Sequence, residues 1–445
     1  MKNNITSALV ALGIVSLASA ANANTVIYLT GSTAARAIIY SACTTSGEVF
    51  SGTSTVVSAN NSSGASQIVF EGSISGISGL VDIDCSYSGS EVGIAAVAGQ
   101  TVATEPALGQ NVNGGTFALP GLSPAFFTAS SGWTATSTLP IAGGTSTPDL
   151  TMADTSQAVS LTPTSTAALH SFGTVGVVPF TFMKGYDSTG ASEFAYTNVV
   201  NVATPVFNTF VGTANTANFF TGQTNDVNAS VVIVGRNKGS GTRVNALLNA
   251  AQYPVGNSVD QWAYASYPVG SGTLTFTGSY ASGQTLTEVG NDGFDSGGNV
   301  QSVMNVDSSG QGAVLVGYLG LSDAAHAHNN DNTGTGGTGS APGSGAASFL
   351  TFNGVWESDA AVENGAYTFW GSEHLYGAVT PNANDTTVGI KLASGIAANL
   401  VHNRDGLAGG AVGPVYSAQS ILIPTSLMSV TRGGLDNGFP APGSF

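Results

Sequence analysis

Three times in this chain a short apolar, β-branched run meets a Gly/Ser turn and then a stretch of small helix-forming residues. That recurrence constrains the fold more than any other feature. The first copy is "NTVIYLTGSTAARAIIYSAC", where Val26 to Leu29 reads as a strand, Gly31-Ser32-Thr33 as the turn and Ala34 to Ala42 as a helix. The second is "GLVDIDCSYSGSEVGIAAVAG", with a strand over Val81 to Tyr87, a turn at Ser88-Gly89-Ser90 and a helix from Glu91 to Ala98. The third is "VVIVGRNKGSGTRVNALLNA", with a strand over Val231 to Val234 and a helix from Arg243. Strand and helix signals alternate elsewhere too, which predicts an α/β fold with parallel strands.

Charge makes the third copy stand out. The chain has 445 residues but only 9 Lys and Arg against 25 Asp and Glu, a net charge of −16. Such a chain repels anions in general, so it predicts no nucleic-acid or anionic-membrane partner. Yet Arg236, Lys238 and Arg243 all flank Gly239-Ser240-Gly241-Thr242. A helix N-terminus carries unpaired N–H groups and partial positive charge. Gly admits close backbone approach, and Ser or Thr adds a hydroxyl donor, so such turns hold oxyanions. The plain alternative is an ordinary N-cap.

Catalytic patterns are missing. "GRNKGSGT" lacks the spacing of a Walker loop. A serine-hydrolase elbow would need Gly where Lys238 or Ser88 stands. There is no HExxH or CxxC. No enzyme activity, metal or cofactor is expected.

The N-terminus reads as a secretory leader over 1–23: Lys2, an apolar run from Ala8 to Leu17, then A-x-A sites at Ala18-Ser19-Ala20 and Ala21-Asn22-Ala23. No Cys closely follows that run, so no lipid or membrane anchor is expected, and the chain should be periplasmic or secreted. Export also predicts that the only two cysteines, Cys43 and Cys85, form a disulfide. The segment 326–348, from "HAHNN" through Gly-rich sequence, reads as a loop.

Four pieces together resemble the periplasmic phosphate-binding proteins of ABC transporters, of the type II periplasmic binding protein fold. "GRNKGSGTRVNALLN" resembles that family's Arg-x-Asp-Gly-Ser-Gly-Thr turn and helix. "LTGSTAARAIIYSA" resembles its N-terminal strand, turn and helix. "MADTSQA" followed by "VGVVPFTFM" is similar to its Ser-Asp-Ala segment, and "GNDGFDSGGNV" with "VGYLGLSDAA" to later stretches. "ENGAYTFWGSEHLYG" would be the return crossing.

The resemblance implies two α/β lobes, each a mainly parallel sheet flanked by helices, joined by two crossing segments. One lobe would comprise 24–182 and 366–445, and the other 183–365. It implies that inorganic phosphate, or a similar oxyanion, binds between them, and that the partner is an ABC transporter permease. Thr33 and Ser90 would donate from one lobe, and Arg236, Ser240, Gly241 and Thr242 from the other. Asp154 would accept the proton of monohydrogen phosphate, and Arg243 would face outward. Two departures stand out: Lys238 replaces the family's Asp, and Glu91 puts an acid at an anion-binding turn. The competing expectation is a secreted surface or matrix protein with this fold and no ligand.

Overall fold

The computed structural model describes residues 24–58, 67–87, 89–99, 117–118, 145–162, 165, 167–189, 194–213, 215–264, 273–274, 285–330, 345–405, 422–432 and 441–442. The leader expected over 1–23, the turn residue Ser88 and the Gly-rich stretch 331–344 lie outside them.

A twelve-stranded sheet organises the chain. Its strands are β1 (Thr25–Gly31), β2 (Thr55–Ser58), β3 (Gln67–Gly72), β4 (Val81–Tyr87), β5 (Leu150–Ala153), β6 (His170–Lys184), β7 (Asn201–Val202), β8 (Asn215–Thr216), β9 (Ser230–Val234), β10 (Ala313–Gly320), β11 (Ser348–Phe352) and β12 (Trp370–Gly377). Ten follow one path, β8-β9-β10-β6-β12-β5-β1-β4-β3-β2, while β11 pairs with β6 and β7. The helices used below are α1 (Arg36–Thr44), α2 (Ser90–Val97), α3 (Gly241–Asn245), α4 (Gly297–Met304), α5 (Leu321–Asn329) and α6 (Ala383–Asp405).

The three strand–turn–helix units are present as β1–α1, β4–α2 and β9–α3. Their strands supply most of the parallel pairing: β1 runs parallel to β4 and β5, and β9 to β10. The rest departs from the mainly parallel expectation. β6 and β12 pair antiparallel with each other, with β10 and with β5. At 15 residues β6 changes partners along its length: its first part, His170 to Pro179, pairs with β12, and its last part, Phe180 to Lys184, with β10 and β11.

Phe180 and Phe182 of β6 form a ring cluster with Phe352 and Phe369, with Phe182 and Phe369 stacked at 4.8 Å between centroids. In β4, "VDIDCSY", every residue is buried, including Asp82 and Asp84. Burial pushes both carboxyls up to about 7. The Asn24 amide donates to Asp82 and to Glu71 of the neighbouring strand, partly offsetting that cost.

Two expectations fail in this part of the molecule. Cys43 and Cys85 are free, buried thiols and not a disulfide. Cys85 is held in register opposite Leu29 on one side and Ile68 on the other, and Cys43 is fixed by the docking of α1. A bridge needs a narrow Cβ geometry, and here both sulfurs serve as small apolar core groups. Burial pushes the Cys85 thiol up to about 12 and that of Cys43 well above its ordinary value. The loop expected over 326–348 also shrinks at both ends. His326 and His328 lie in α5, His328 packs at a tilt against Phe349, and Ser348 already belongs to β11.

Candidate functional site

The site forms where the three turns and the end of β5 meet. Gly31 closes β1 at φ 108°, a backbone open mainly to Gly. A Cβ there would also sit 2.0 Å from the Met152 carbonyl, so the turn lies directly on β5. Gly89 precedes α2 at φ 109°, and a Cβ would fall 2.5 Å from the Gly239 carbonyl. These contacts let the second and third turns touch: the Glu91 N–H donates to Gly239 O at 3.1 Å. Ser240 caps α3 through its hydroxyl, which accepts from the Arg243 N–H at 3.4 Å.

Asp154, one residue past β5, occupies the meeting point and is 2% exposed. The Ser90 hydroxyl donates to its Oδ1, and the Thr242 hydroxyl donates to Oδ2 at 3.4 Å. Its own N–H donates to Ser90 Oγ at 3.2 Å. Its carbonyl accepts from Asn245 Nδ2 at 2.6 Å. Gly241 is required beside it, since a Cβ there would lie 1.7 Å from Oδ1. Burial raises the Asp154 pKa, against the lowering effects of Ser90, Arg236 and Thr242.

Arg236 is buried, and its guanidinium donates to the carbonyls of Phe294 (3.2 Å) and Asp295 (2.9 Å). Burial lowers its pKa, while Asp323, Asp154 and Asp295 favour the charge. Its backbone N–H is pinned by the Tyr318 hydroxyl at 3.0 Å. Ser90, Asp154, Gly241 and Thr242 are therefore in direct contact. Arg236 reaches them through its field, and Ser240 acts as the helix cap. Thr33 is half-buried in the first turn, where its carbonyl accepts from Arg36 Nε at 2.9 Å.

Arg243 does not face outward. It is among the largest fully buried side chains, donating to Arg236 O and Asn291 O, each at 3.1 Å, and to the Asn291 side chain. It ties the third turn to the chain before α4. Glu91, the unexpected acid, is also buried, and its carboxyl accepts from Thr155 Oγ1 (2.9 Å) and Leu161 N (2.6 Å). Burial pushes it up to about 7, so it carries little charge in mildly acidic solution. Lys238 is half-buried on the third turn.

Three residues of the site are not named as site residues by the sequence: Asn245, Glu373 and Ser32, the last read only as part of the first turn. Asn245 bridges Asp154 O and Gly241 O. Ser32 and Glu373 are fully buried next to Asp154's end of the sheet. Among the described residues no group of three or more His, Cys, Asp or Glu is arranged to hold a metal ion. No helix among them is long and apolar enough to cross a membrane.

The chain matches no family model, and no curated protein aligns with it. Several solved structures share its outline at low similarity. One is a putative phosphate ABC transporter substrate-binding protein with bound phosphate from Clostridium perfringens, 12% identical, covering 84% of this chain and 93% of that one, with a TM-score of 0.39. Another is a possible phosphate binding protein from Planctomyces limnophilus, 12% identical, covering 91% and 95%, with a TM-score of 0.38. A third is an ABC-type phosphate transport receptor from Vibrio cholerae, 10% identical, covering 87% and 100%, with a TM-score of 0.36. These likenesses are too distant to bring a ligand with them.

Proposed function

We propose that this protein is an exported oxyanion-binding protein whose ligand is inorganic phosphate, captured for uptake or sensing without catalysis. The observation that carries the reading is the convergence of the Ser90 and Thr242 hydroxyls on one buried carboxyl, Asp154, beside the Arg236 charge. Two hydroxyl donors and a guanidinium suit an oxyanion. A carboxylate among them accepts the proton of monohydrogen phosphate and repels sulfate, which has no proton to give.

On this reading residues 24–182 and 366–445 form one lobe and 183–365 the other, with β6 and β12 as the crossing segments. The change of partner within β6 supports that division. Ligand would enter as the lobes part, breaking the Thr242–Asp154 and Glu91–Gly239 contacts and replacing them with bonds to the anion. Delivery to an ABC transporter permease would follow.

One observation favours a second reading. Asp154 itself fills the cradle, and Gly239 O takes an N–H of α2 that an anion would use. A permanently closed structural module on a cell surface or in a matrix would look the same. Equilibrium dialysis with labelled phosphate separates the two: saturable retention, competed weakly by sulfate, supports the binding protein. No retention at millimolar phosphate supports the closed module.

A further inference from the structure

Glu373 deepens the proposed site and rests on that reading. It lies in β12, fully buried, and neither carboxyl oxygen has a hydrogen-bond partner. Its position is set by register. His374 pairs with Ala153 as the last pair of β12 and β5, and Glu373 and Asp154 each lie one residue beyond it, close enough for their charges to interact. Cross-strand neighbours project from the same sheet face. Gly371, two residues earlier on that face, leaves room for the Asp154 carbonyl and Asn245, which a Cβ would meet at 2.6 and 2.4 Å.

The surroundings decide its protonation. An unpaired buried carboxylate is too costly to keep, so the group stays neutral. Burial and the Asp154 carboxyl both drive its pKa well above the ordinary range. The Ser32 hydroxyl opposes this and favours the charged form. A neutral carboxylic acid offers one O–H donor and a carbonyl acceptor. A buried donor without an acceptor is destabilising for the empty protein, which is the mark of a group whose partner arrives from outside.

We propose that Glu373 is a binding residue of this site, donating a carboxylic O–H to an oxygen of the oxyanion while Asp154 accepts the anion's own proton. The two acids then play opposite roles across one strand pair. Together they select a partly protonated, tetrahedral oxyanion that accepts on one side and donates on the other.

The test is titration calorimetry of inorganic phosphate into the leader-free chain, its Glu373→Gln variant and its Glu373→Leu variant, with melting curves for each. A carboxamide retains a donor and an acceptor, so Glu373→Gln should bind phosphate within about threefold of the parent. Glu373→Leu should bind about tenfold or more weakly, the loss of one hydrogen bond to a charged group. Without phosphate, Glu373→Leu should melt at or above the parent, because it removes an unpartnered polar group. If the Leu variant does not fold, Glu373→Met takes its place. The inference is overturned if the apolar variant binds like the parent, or if Glu373→Gln is as weak as Glu373→Leu. A parent that binds no phosphate while folding normally overturns the proposed function, and this inference with it.

Discussion

Gly241→Ala puts a single methyl group where the structure says nothing fits. The new Cβ would lie 1.7 Å from Asp154 Oδ1 and 2.7 Å from both Asp154 Cγ and Ser90 Oγ. An ordinary carbon–oxygen contact needs roughly twice the shorter distance, so the carboxyl must move by well over an ångström. It is not free to do so, being bonded by the Ser90 and Thr242 hydroxyls and buried. Overpacking of this kind costs about 1–3 kcal/mol. Displacing the carboxyl also forfeits hydrogen bonds worth about 1.5–3 kcal/mol each when charged. Against this, Ala is a better helix former than Gly by up to about 1 kcal/mol. A net loss of about 3 kcal/mol is expected, read as a fall in the urea midpoint at unchanged slope. The same substitution in an Asp154→Ala background should cost far less, leaving a coupling of about 2 kcal/mol in the double-mutant cycle. A variant as stable as the parent, or a cycle that closes to within about 0.5 kcal/mol, would refute the packing of Asp154 in the cradle.

Arg243→Ala should lower stability by about 3 kcal/mol, because it strips donors from the Arg236 and Asn291 carbonyls in a buried setting; thermal melting reads this, and an unchanged midpoint would mean the guanidinium faces solvent. Asp154→Asn should weaken phosphate binding less than it strengthens sulfate binding, since an amide donates as well as accepts; a competition assay with both affinities unchanged would place Asp154 outside the site. Stability should fall as pH rises. Glu91, raised from 4.5 to about 7, contributes stability that is fully present below about pH 4.5 and lost through about pH 7. That contribution is about 3 kcal/mol at most, and Glu91→Gln should flatten this part of the urea-midpoint profile; an equally steep profile in the variant would remove Glu91 from the explanation.

The parts of the fold legible in the sequence are those fixed by local chemistry. Val26 to Leu29, Val81 to Tyr87 and Val231 to Val234 announce strands through β-branched and apolar runs, and the turns after them through Gly and Ser. Asp154 is legible only through the resemblance of "MADTSQA", and the structure sets it one residue past β5. What stayed hidden depends on partners far along the chain. Arg243 looks like a solvent-facing helix residue until Asn291 arrives from 48 positions away. Glu373 looks like one polar residue in a mixed strand until the β5–β12 pairing brings it near Asp154. The disulfide expectation reasoned from compartment and an even count, whereas sheet register and helix docking decide where each sulfur lies. The mixed pairing of the sheet was equally invisible, because antiparallel and parallel strands share the apolar run that betrays them.

On the proposed reading Arg236, Ser90, Thr242 and Asp154 form a site for an oxyanion, and calorimetry decides it. Inorganic phosphate is titrated into residues 24–445 and into the Arg236→Ala variant, with melting curves to confirm that both fold. Arg236 is the basic residue whose charge bears on Asp154, and losing one partner of a desolvated charge pair typically costs about 2–5 kcal/mol. The parent should show saturable binding at one site, and Arg236→Ala should bind about 30-fold or more weakly. A folded parent that gives no saturable heat, and whose melting point phosphate does not move, would contradict the account and leave a closed structural module in its place.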